Sequence, residues 1–286
     1  MTFLVMMNIA ILSTPLVVEA SEALPGCDEW CGKVHIPYPF GIKKGCYLNQ
    51  NFSITCHKTG PPKAEAFLMH TNIRVMNIST NGELHVLRPI VRNCYSYGDN
   101  YLDMNETDLS VPTMYPLSRS KNKFITIGCN HVGLILGDDQ GTNVESGCIS
   151  VCTRRSSVVD GLCSGSGCCQ LDIPKGLTNL SLAVGELLNY TEIRKFSPCG
   201  YAFIIEAKRF QFLSSYIDKF EEKEVEVVLS WGIRKELELD CGLNARRNNS
   251  IFSETHYRCQ CLDGYQGNPY LPQGCQGKAL FIFRVR

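Results

Sequence analysis

Cysteine is the residue type whose number and placement most constrain the chemistry open to this chain. All sixteen cysteines of the 286 residues follow residue 26. An even number in an oxidising compartment predicts a disulfide framework. The alternative is zinc, for which Cys148, Cys152 and the adjacent pair Cys168 and Cys169 have suitable spacing, but zinc needs thiolates that are kept reduced. The sequence therefore favours disulfides, and no metal and no cofactor are expected.

The N-terminus and the glycosylation sequons indicate the same compartment. Residues 1–20 have the layout of a secretory signal peptide, with an apolar run over residues 3–18 and Ala20 at a small-residue cleavage site. A buried N-terminal helix is the alternative. No later apolar run reaches the ~20 residues of a transmembrane helix. Six N-x-S/T sequons follow: Asn51, Asn77, Asn105, Asn179, Asn189 and Asn248. We expect a secreted, extracellular glycoprotein without a membrane span after signal cleavage.

The charge balance limits the classes of partner. The chain has a formal net charge of zero at pH 7. Nucleic-acid phosphates require a clearly basic footprint, so nucleic acid is not an expected partner. Local basic patches remain compatible with this balance.

Short strands separated by turns are the elements that must position these residues. Residues 52–56, 72–79, 83–89 and 123–129 mix β-branched and polar residues at near-alternating spacing. Asn81-Gly82 predicts a hairpin with a type I′ turn. Residues 131–200 are dense in cysteine and glycine, and the segments at 147–152 and 161–174 within them are expected to be loops held by sulfur. "YAFIIEAKRF" and "EVEVVLSW" predict two further strands, with a helical turn in "SSYIDKFEEKE" between them. The predicted fold class is mainly β and disulfide-rich.

The segment "HIPYPFGI" (35–42) is stiffened by its prolines. Pro37 and Pro39 fix their own φ and push Ile36 and Tyr38 towards extended backbone. Tyr38 and Phe40 then share one face of the segment. Either these rings are presented on a rigid edge or they fill the core beside the disulfides, and the core is favoured for Phe40.

The same segment resembles a known family. "CGKVHIPYPFGIKKGCYLNQNFSITC" (31–56) is similar to the start of the galacturonan-binding domain of plant wall-associated receptor kinases. "GCCQLDIP" (167–174), "SPCGYAF" (197–203) and "VVLSWGI" (227–233) resemble the extracellular region that follows it in that family. "YRCQCLDGYQGNPYLPQGCQ" (257–276) resembles its first EGF-like module. The predicted domains are a signal peptide (1–20), a galacturonan-binding domain (24–130), the wall-associated kinase extracellular region (131–239), a degenerate EGF-like module (240–276) and an atypical tail (277–286).

The resemblance also implies a disulfide pattern and an early stop. The EGF-like module lacks two of the usual six cysteines, and the family pattern implies the pairs Cys241–Cys259 and Cys261–Cys275 in a looser module. After residue 276 the chain departs from the family, whose members continue into a calcium-binding module, a membrane helix and a kinase. We expect a chain truncated before these parts, with neither calcium binding nor kinase activity.

The function implied by the resemblance is non-covalent binding of pectin, the acidic galacturonic acid polymer of the plant cell wall. Lysine and arginine side chains would bind the carboxylates of the polymer. Arginine would do so through its planar guanidinium, and lysine as a point charge. The candidate ligand-binding residues are Lys33, Tyr38, Lys43, Lys44, Arg74, Arg88 and Arg92. Further candidates are the cations Lys58 and Lys63 and the rings Tyr95 and Tyr97. Exposed charges of this kind are individually weak, and the alternative for each is an ordinary solvated side chain.

Catalysis and protein binding are the two other classes of function to compare with pectin binding. A pectin hydrolase needs two carboxylates flanking the bond; Asp138 and Asp139 are adjacent and would diverge on a strand. The segment "GLCSG" around Cys163 resembles the nucleophile-elbow motif. It lies in a cystine-rich segment, however, rather than between a strand and a helix. We therefore expect no catalytic residues and no enzyme. The alternative that stays open is a secreted protein- or peptide-binding ectodomain, or a decoy for full-length receptors, with other receptor ectodomains as partners.

Overall fold

The computed structural model describes residues 21–60, 63–95, 105–139, 142–174, 178–187, 191–249 and 254–277. Strands dominate these residues. In chain order they are β1 (Trp30–Cys31), β2 (Val34–His35), β3 (Ile54–Gly60), β4 (Lys63–Leu68), β5 (Arg74–Ser79), β6 (Glu83–Pro89), β7 (Val91–Cys94), β8 (Asn105–Asp108), β9 (Asn122–Ile127), β10 (His131–Asp139), β11 (Thr142–Ser150), β12 (Cys168–Leu171), β13 (Thr178–Glu186), β14 (Cys199–Glu206), β15 (Glu224–Ser230), β16 (Ile233–Arg234), β17 (Ala245–Asn248), β18 (His256–Cys261), β19 (Tyr265–Gly267) and β20 (Cys275–Gly277).

Helical structure in the described residues is limited to short turns. The α-helical turn α1 covers Thr191–Arg194, and 3-10 turns cover Gln50–Phe52, Arg155–Ser157, Ala207–Arg209, Ser214–Ile217 and Lys235–Leu237. The predicted helical turn after residue 213 is thus present. No helix in the described part of the chain has the length and apolar character needed to cross a membrane. The predicted fold class, mainly β and disulfide-rich, is confirmed.

A five-stranded antiparallel sheet carries the first candidate residues. Its strand order is β15-β6-β5-β4-β3. In β6, which covers the predicted residues 83–89, Leu84 and Val86 are buried and their neighbours are less so, because successive side chains of a strand face opposite sides. Strand β15 belongs to the second predicted region, beyond residue 130. The two predicted regions therefore both contribute strands to this sheet.

Two four-stranded sheets follow, with orders β11-β10-β13-β8 and β12-β9-β14-β7. The expectation of loops at residues 147–152 and 161–174 is wrong in part, since β11 extends to Ser150 and β12 covers Cys168–Leu171. Glycine in this region allows close packing rather than marking a loop. A Cβ at Gly133 would overlap the Thr126 hydroxyl, and one at Gly147 would lie 2.8 Å from Leu134 Cδ2.

The hairpin at Asn81-Gly82 is present, but the predicted type I′ turn is wrong. Ser79 pairs with Glu83, so the loop has three residues rather than two. Of this loop only Gly82 has a positive φ, +87°, whereas a type I′ turn needs positive φ at both central residues. The extra residue follows from contact with Arg258, whose side chain packs on Gly82 and whose Nη1 donates to the Asn81 carbonyl at 3.0 Å.

The proline-stiffened segment lines the core. The Phe40 ring centroid lies 5.2 Å from that of Phe52 and 5.1 Å from that of Trp231. Tyr38 is only 8% exposed, and burial raises the pKa of its hydroxyl. The segment turns instead of forming an edge, since the Phe40 N–H donates to the Pro37 carbonyl at 2.9 Å. The open choice between presented and core rings is therefore decided for the core at both positions.

Eight disulfides join all sixteen cysteines. The pairs are Cys27–Cys46, Cys31–Cys56, Cys94–Cys199, Cys129–Cys152, Cys148–Cys169, Cys163–Cys168, Cys241–Cys259 and Cys261–Cys275. The cysteines considered for zinc are thus distributed over three separate bonds. The last two bonds join the pairs that the family resemblance implies.

The C-terminal module is fastened to the rest of the chain. The Asn268 side-chain amide donates to the carbonyls of Glu22 at 2.8 Å and Tyr38 at 2.6 Å. Arg258 Nε donates to the Trp231 carbonyl at 2.8 Å. Asn268 is 2% exposed, so these bonds lie in the interior. The expected looseness of the module stays a prediction.

Candidate functional site

A short hairpin near the N-terminus holds Lys33 in a defined place. Cys31 pairs with Val34, which leaves Gly32 and Lys33 as the two-residue turn between β1 and β2. Gly32 has φ +60°, as the first position of a type II′ turn requires. A Cβ at Gly32 would overlap the Ala64 carbonyl oxygen, so the turn is pressed against β4. Lys33 is therefore presented at the tip of an anchored hairpin.

Lys58 and Lys43 have contacts in the same region, and Lys44 follows Lys43 in the chain. Lys58 on β3 is the register partner of Ala64, against which the hairpin tip packs. Lys43 Nζ lies 2.8 Å from an Asp28 carboxylate oxygen. That hydrogen bond is the main cause of the lowered pKa of Asp28, and the charge of Lys58 lowers the pKa further, so Asp28 is close to both cations. We call Lys33, Lys43, Lys44 and Lys58 the N-terminal basic cluster.

The N-terminal basic cluster is available to solvent. All four lysines are exposed. Within the described ranges, Lys43 is the member that forms an ion pair, with Asp28, and the other three ammonium groups have none. The disulfides Cys27–Cys46 and Cys31–Cys56 hold the supporting segments together. Such an arrangement can meet several carboxylates of an extended anion as point charges.

Arg74 and Arg88 form a separate network. Arg74 Nη1 lies 2.8 Å from a Glu65 carboxylate oxygen, and its Nη2 lies 3.4 Å from one of Glu224. Arg88 Nη2 donates to the Asp108 carbonyl at 3.1 Å, and burial lowers the pKa of its guanidinium. Both arginines use donors within the chain, which leaves fewer of them for a ligand.

Arg92 lies on a third surface. Its Nε donates to Cys94 Sγ at 2.8 Å and its Nη2 to Cys199 Sγ at 3.7 Å. The guanidinium therefore lies alongside the Cys94–Cys199 disulfide. The same group lies 5.7 Å from the centroid of the Tyr201 ring. The predicted ligand-binding residues are thus divided among separate networks, and the lysines alone form an exposed group.

The aromatic candidates differ in exposure. Tyr38 is buried, whereas Tyr95 is 40% exposed and one face of its ring is covered by the Arg194 guanidinium, 3.8 Å from its centroid. Tyr97 and the side chain of Lys63 lie outside the described residues. Sequence reasoning missed Trp30, which is 58% exposed. Strand alternation next to the buried Cys31 was the signal that could have found it.

The remaining predicted positions have diverse surroundings. Among the sequons, Asn51 and Asn77 are exposed and Asn248 is half-buried. Asn105 and Asn179 lie in strands, but their side chains are outside the described part of the chain. Asn189 is wholly outside it. The side chains of Asp138 and Asp139 are likewise outside it. Cys163 is bonded to Cys168, so it holds no thiol for a nucleophile elbow.

Three described side chains have the composition of a metal site. Ligand atoms of His85, Glu206 and Glu226 lie within 4.8 Å of one another. The Arg209 guanidinium already pairs with both carboxylates, 3.0 Å from Glu206 and 3.2 Å from Glu226, and His85 Nδ1 lies 2.7 Å from Glu226. Because the Arg209 guanidinium already supplies the positive charge that a metal cation would bring, the arrangement favours a structural network of side chains.

Comparison with known proteins gives one family. Residues 27–88 match the family described as wall-associated receptor kinase galacturonan-binding. Wall-associated receptor kinase 2 of Arabidopsis thaliana is 34% identical over 265 residues, which are 87% of this chain and 34% of that protein. Wall-associated receptor kinase 1 of the same plant is 34% identical over 289 residues, 96% of this chain and 37% of that protein. The chain spans about a third of the length of these relatives. No solved structure matches it.

Proposed function

From the premise that this chain is, by sequence, a wall-associated receptor kinase ectodomain, we propose that it binds de-esterified pectin without catalysis. The N-terminal basic cluster is the proposed contact with the galacturonate carboxylates. The single observation that carries the proposal is the convergence of four exposed lysines inside the matched residues 27–88. Pectin and its fragments are polymers, so several weak contacts along one chain add up.

The proposed location is the cell wall, outside the cell. An ectodomain of this family is extracellular, and eight disulfides agree with an oxidising compartment. Secretion of the chain as a free ectodomain, glycosylated at its sequons, is part of the proposal. No catalytic role is proposed, because the similarity is to receptor ectodomains, which are binding domains.

The test is binding of the secreted chain to polygalacturonate, compared with a fully methyl-esterified polymer. Esterification removes the negative charge while keeping the sugar backbone. We expect binding to the acidic polymer alone, with affinity that falls as salt is added, because salt screens exposed charges. Reducing-end release is measured in parallel, and release would contradict a purely binding role.

The variants separate the site from general charge. The triple variant Lys33→Gln, Lys44→Gln and Lys58→Gln removes three charges from the N-terminal basic cluster. Its matched control removes the same charge at other exposed lysines, Lys208→Gln, Lys223→Gln and Lys235→Gln. The proposal expects the first variant to bind weakly and the control to bind like the unchanged chain. Equal losses in both would show that only net charge matters.

A second candidate function, pairing with another receptor ectodomain, is favoured by an apolar surface. Ile149, Val151, Val159 and Leu162 are 52–56% exposed. Hydrogen bonds between Val151 N and the Gly165 carbonyl, 2.8 Å, and between Leu162 N and the Val159 carbonyl, 3.2 Å, gather them at the end of β11. Contiguous exposed apolar side chains mark interaction surfaces. Concentration-dependent mass in sedimentation, lost in Leu162→Asp, would support pairing.

A further inference from the structure

Trp30 is an exposed aromatic side chain on the same hairpin as Lys33 of the N-terminal basic cluster. It is 58% exposed, whereas the other tryptophan, Trp231, is 0% exposed. One side of the Trp30 ring rests on His35, with ring centroids 4.8 Å apart and planes tilted by 48°. Its exposure leaves the opposite ring face open to solvent. A large apolar surface kept in water next to charged groups requires an explanation.

The hairpin fixes the position of the Trp30 ring. Trp30 and His35 are directly opposite each other across β1 and β2, and the next pair, Cys31 and Val34, is buried. Side chains of successive strand residues face opposite sides, so Trp30 and His35 point outward together. The Cys31–Cys56 disulfide anchors the buried side. The ring is therefore held before a ligand arrives, which reduces the entropy lost on binding.

Lys33 lies at the tip of the same hairpin. It is two to three strand residues beyond Trp30, about 7–10 Å at the usual rise per residue. A lysine side chain and one pyranose ring together bridge this span. The hairpin thus presents a flat apolar face and an ammonium group. Their separation allows one uronic acid residue to contact the ring face with its sugar ring and the ammonium group with its carboxylate.

We propose that Trp30 and Lys33 form a subsite for one galacturonate residue, an inference that rests on the proposed function. The C–H face of the pyranose ring stacks on the free face of Trp30, whose negative π face attracts it. The sugar carboxylate meets the Lys33 ammonium as a point charge. The remaining lysines of the N-terminal basic cluster then contact neighbouring residues of the polymer.

Tryptophan fluorescence gives a direct readout, because Trp30 and Trp231 are the two tryptophans of the chain and Trp231 is buried. Acrylamide quenches exposed tryptophan, so quenching reports on Trp30. Saturating de-esterified oligogalacturonide is expected to protect this signal in the full secreted chain. A merely structural role of Trp30 in the hairpin would leave quenching unchanged by the ligand.

Affinity measurements on variants complete the test. Trp30→Ala is expected to bind polygalacturonate about 3- to 10-fold more weakly, and Trp30→Phe to recover part of the loss. The salt dependence should stay that of the unchanged chain, because stacking is uncharged, whereas Lys33→Gln should reduce it. The matched control is Tyr265→Ala, which removes an exposed ring from the β19–β20 pair of the C-terminal module.

The outcomes separate this inference from the proposed function. Tight binding by the unchanged chain, with no protection of Trp30 and no loss in Trp30→Ala, would overturn the subsite and leave pectin binding intact. Absence of binding by the folded, fully oxidised chain would overturn both. Equal losses in Trp30→Ala and Tyr265→Ala would also overturn the subsite.

Discussion

The Lys43 ammonium lies 2.8 Å from the Asp28 carboxylate, and their side chains are 66% and 51% exposed. A pair this exposed contributes little to stability, but it places a negative charge among the exposed lysines. Asp28→Asn removes that charge and frees Lys43. We expect the variant to bind polygalacturonate about 2- to 5-fold more tightly at low salt, with an unchanged melting temperature.

The control for this change is Asp240→Asn, which removes a carboxylate that is also exposed and ion-paired, from the C-terminal module. The Asp240 side chain is 99% exposed and pairs with Arg247 at 3.1 Å. Affinities of both variants are measured by calorimetry at two salt concentrations. If Asp28→Asn bound no more tightly than Asp240→Asn, the N-terminal basic cluster would not be the contact surface.

Arg88 is expected to matter for stability more than for binding. Its guanidinium donates to the Asp108 carbonyl, and its pKa is lowered by burial. Arg88→Met should lower the free energy of unfolding by about 1–2 kcal/mol, since it removes a hydrogen bond from a charged donor. Its affinity for polygalacturonate should remain close to that of the unchanged chain. A large loss of affinity at unchanged stability would return Arg88 to the binding site.

Asn268 is expected to be a strong stability determinant of the C-terminal module. Asn268→Ala leaves the carbonyls of Glu22 and Tyr38 without this donor in the interior, at a cost of about 2 kcal/mol or more. Urea unfolding of the oxidised chain measures the change. Gln273→Ala, an exposed position of the same module, is the control and should shift stability by less than about 0.5 kcal/mol.

The stability of the chain is expected to fall on acidification partly through His131. This imidazole is 5% exposed, and burial is the main cause of its lowered pKa. The folded state therefore resists a proton that the unfolded state accepts near its ordinary pKa of about 6.5. The contribution is complete above that pH and decreases as the pH falls below it. Melting temperatures measured from pH 7.5 to 5 should show this loss.

His131→Gln is expected to flatten that pH dependence, whatever its effect on absolute stability. The control is His57→Gln, at an exposed histidine of β3. Its pH dependence should match that of the unchanged chain. An equal slope in the unchanged chain and in His131→Gln would exclude His131 as the titrating group.

Local patterns predicted the strands whose burial alternates. Residues 83–89 were predicted as a strand and form β6, because Leu84 and Val86 face the core between more exposed neighbours. The same reasoning failed for the predicted loops that contain the end of β11 and all of β12. A Cβ at Gly147 would lie 2.8 Å from Leu134 Cδ2 on the neighbouring strand, so the role of a glycine depends on what packs over it. The loop after Ser79 gained its third residue for a similar reason, contact with Arg258.

In the candidate site, too, local patterns predicted some features and folding decided the others. Composition and motif spacing identified the cations within residues 27–88, but not which of them remain available. Folding brings carboxylates or a carbonyl to Arg74 and Arg88, and these contacts occupy donors that would otherwise be available to a ligand. Trp30 was overlooked because exposure of one ring depends on the hairpin that carries it.

By itself the sequence determined a mainly β, disulfide-rich ectodomain, its family and the presence of hairpins, because these follow from composition, local alternation and contiguous motifs. The tertiary structure decided which cysteines among residues 27–199 pair, that β15 completes the sheet of β3–β6, and that four lysines rather than the arginines form the exposed basic surface. The physical reason is that pairing, burial and charge neutralisation are contacts between residues far apart in the chain, and such contacts exist only after folding.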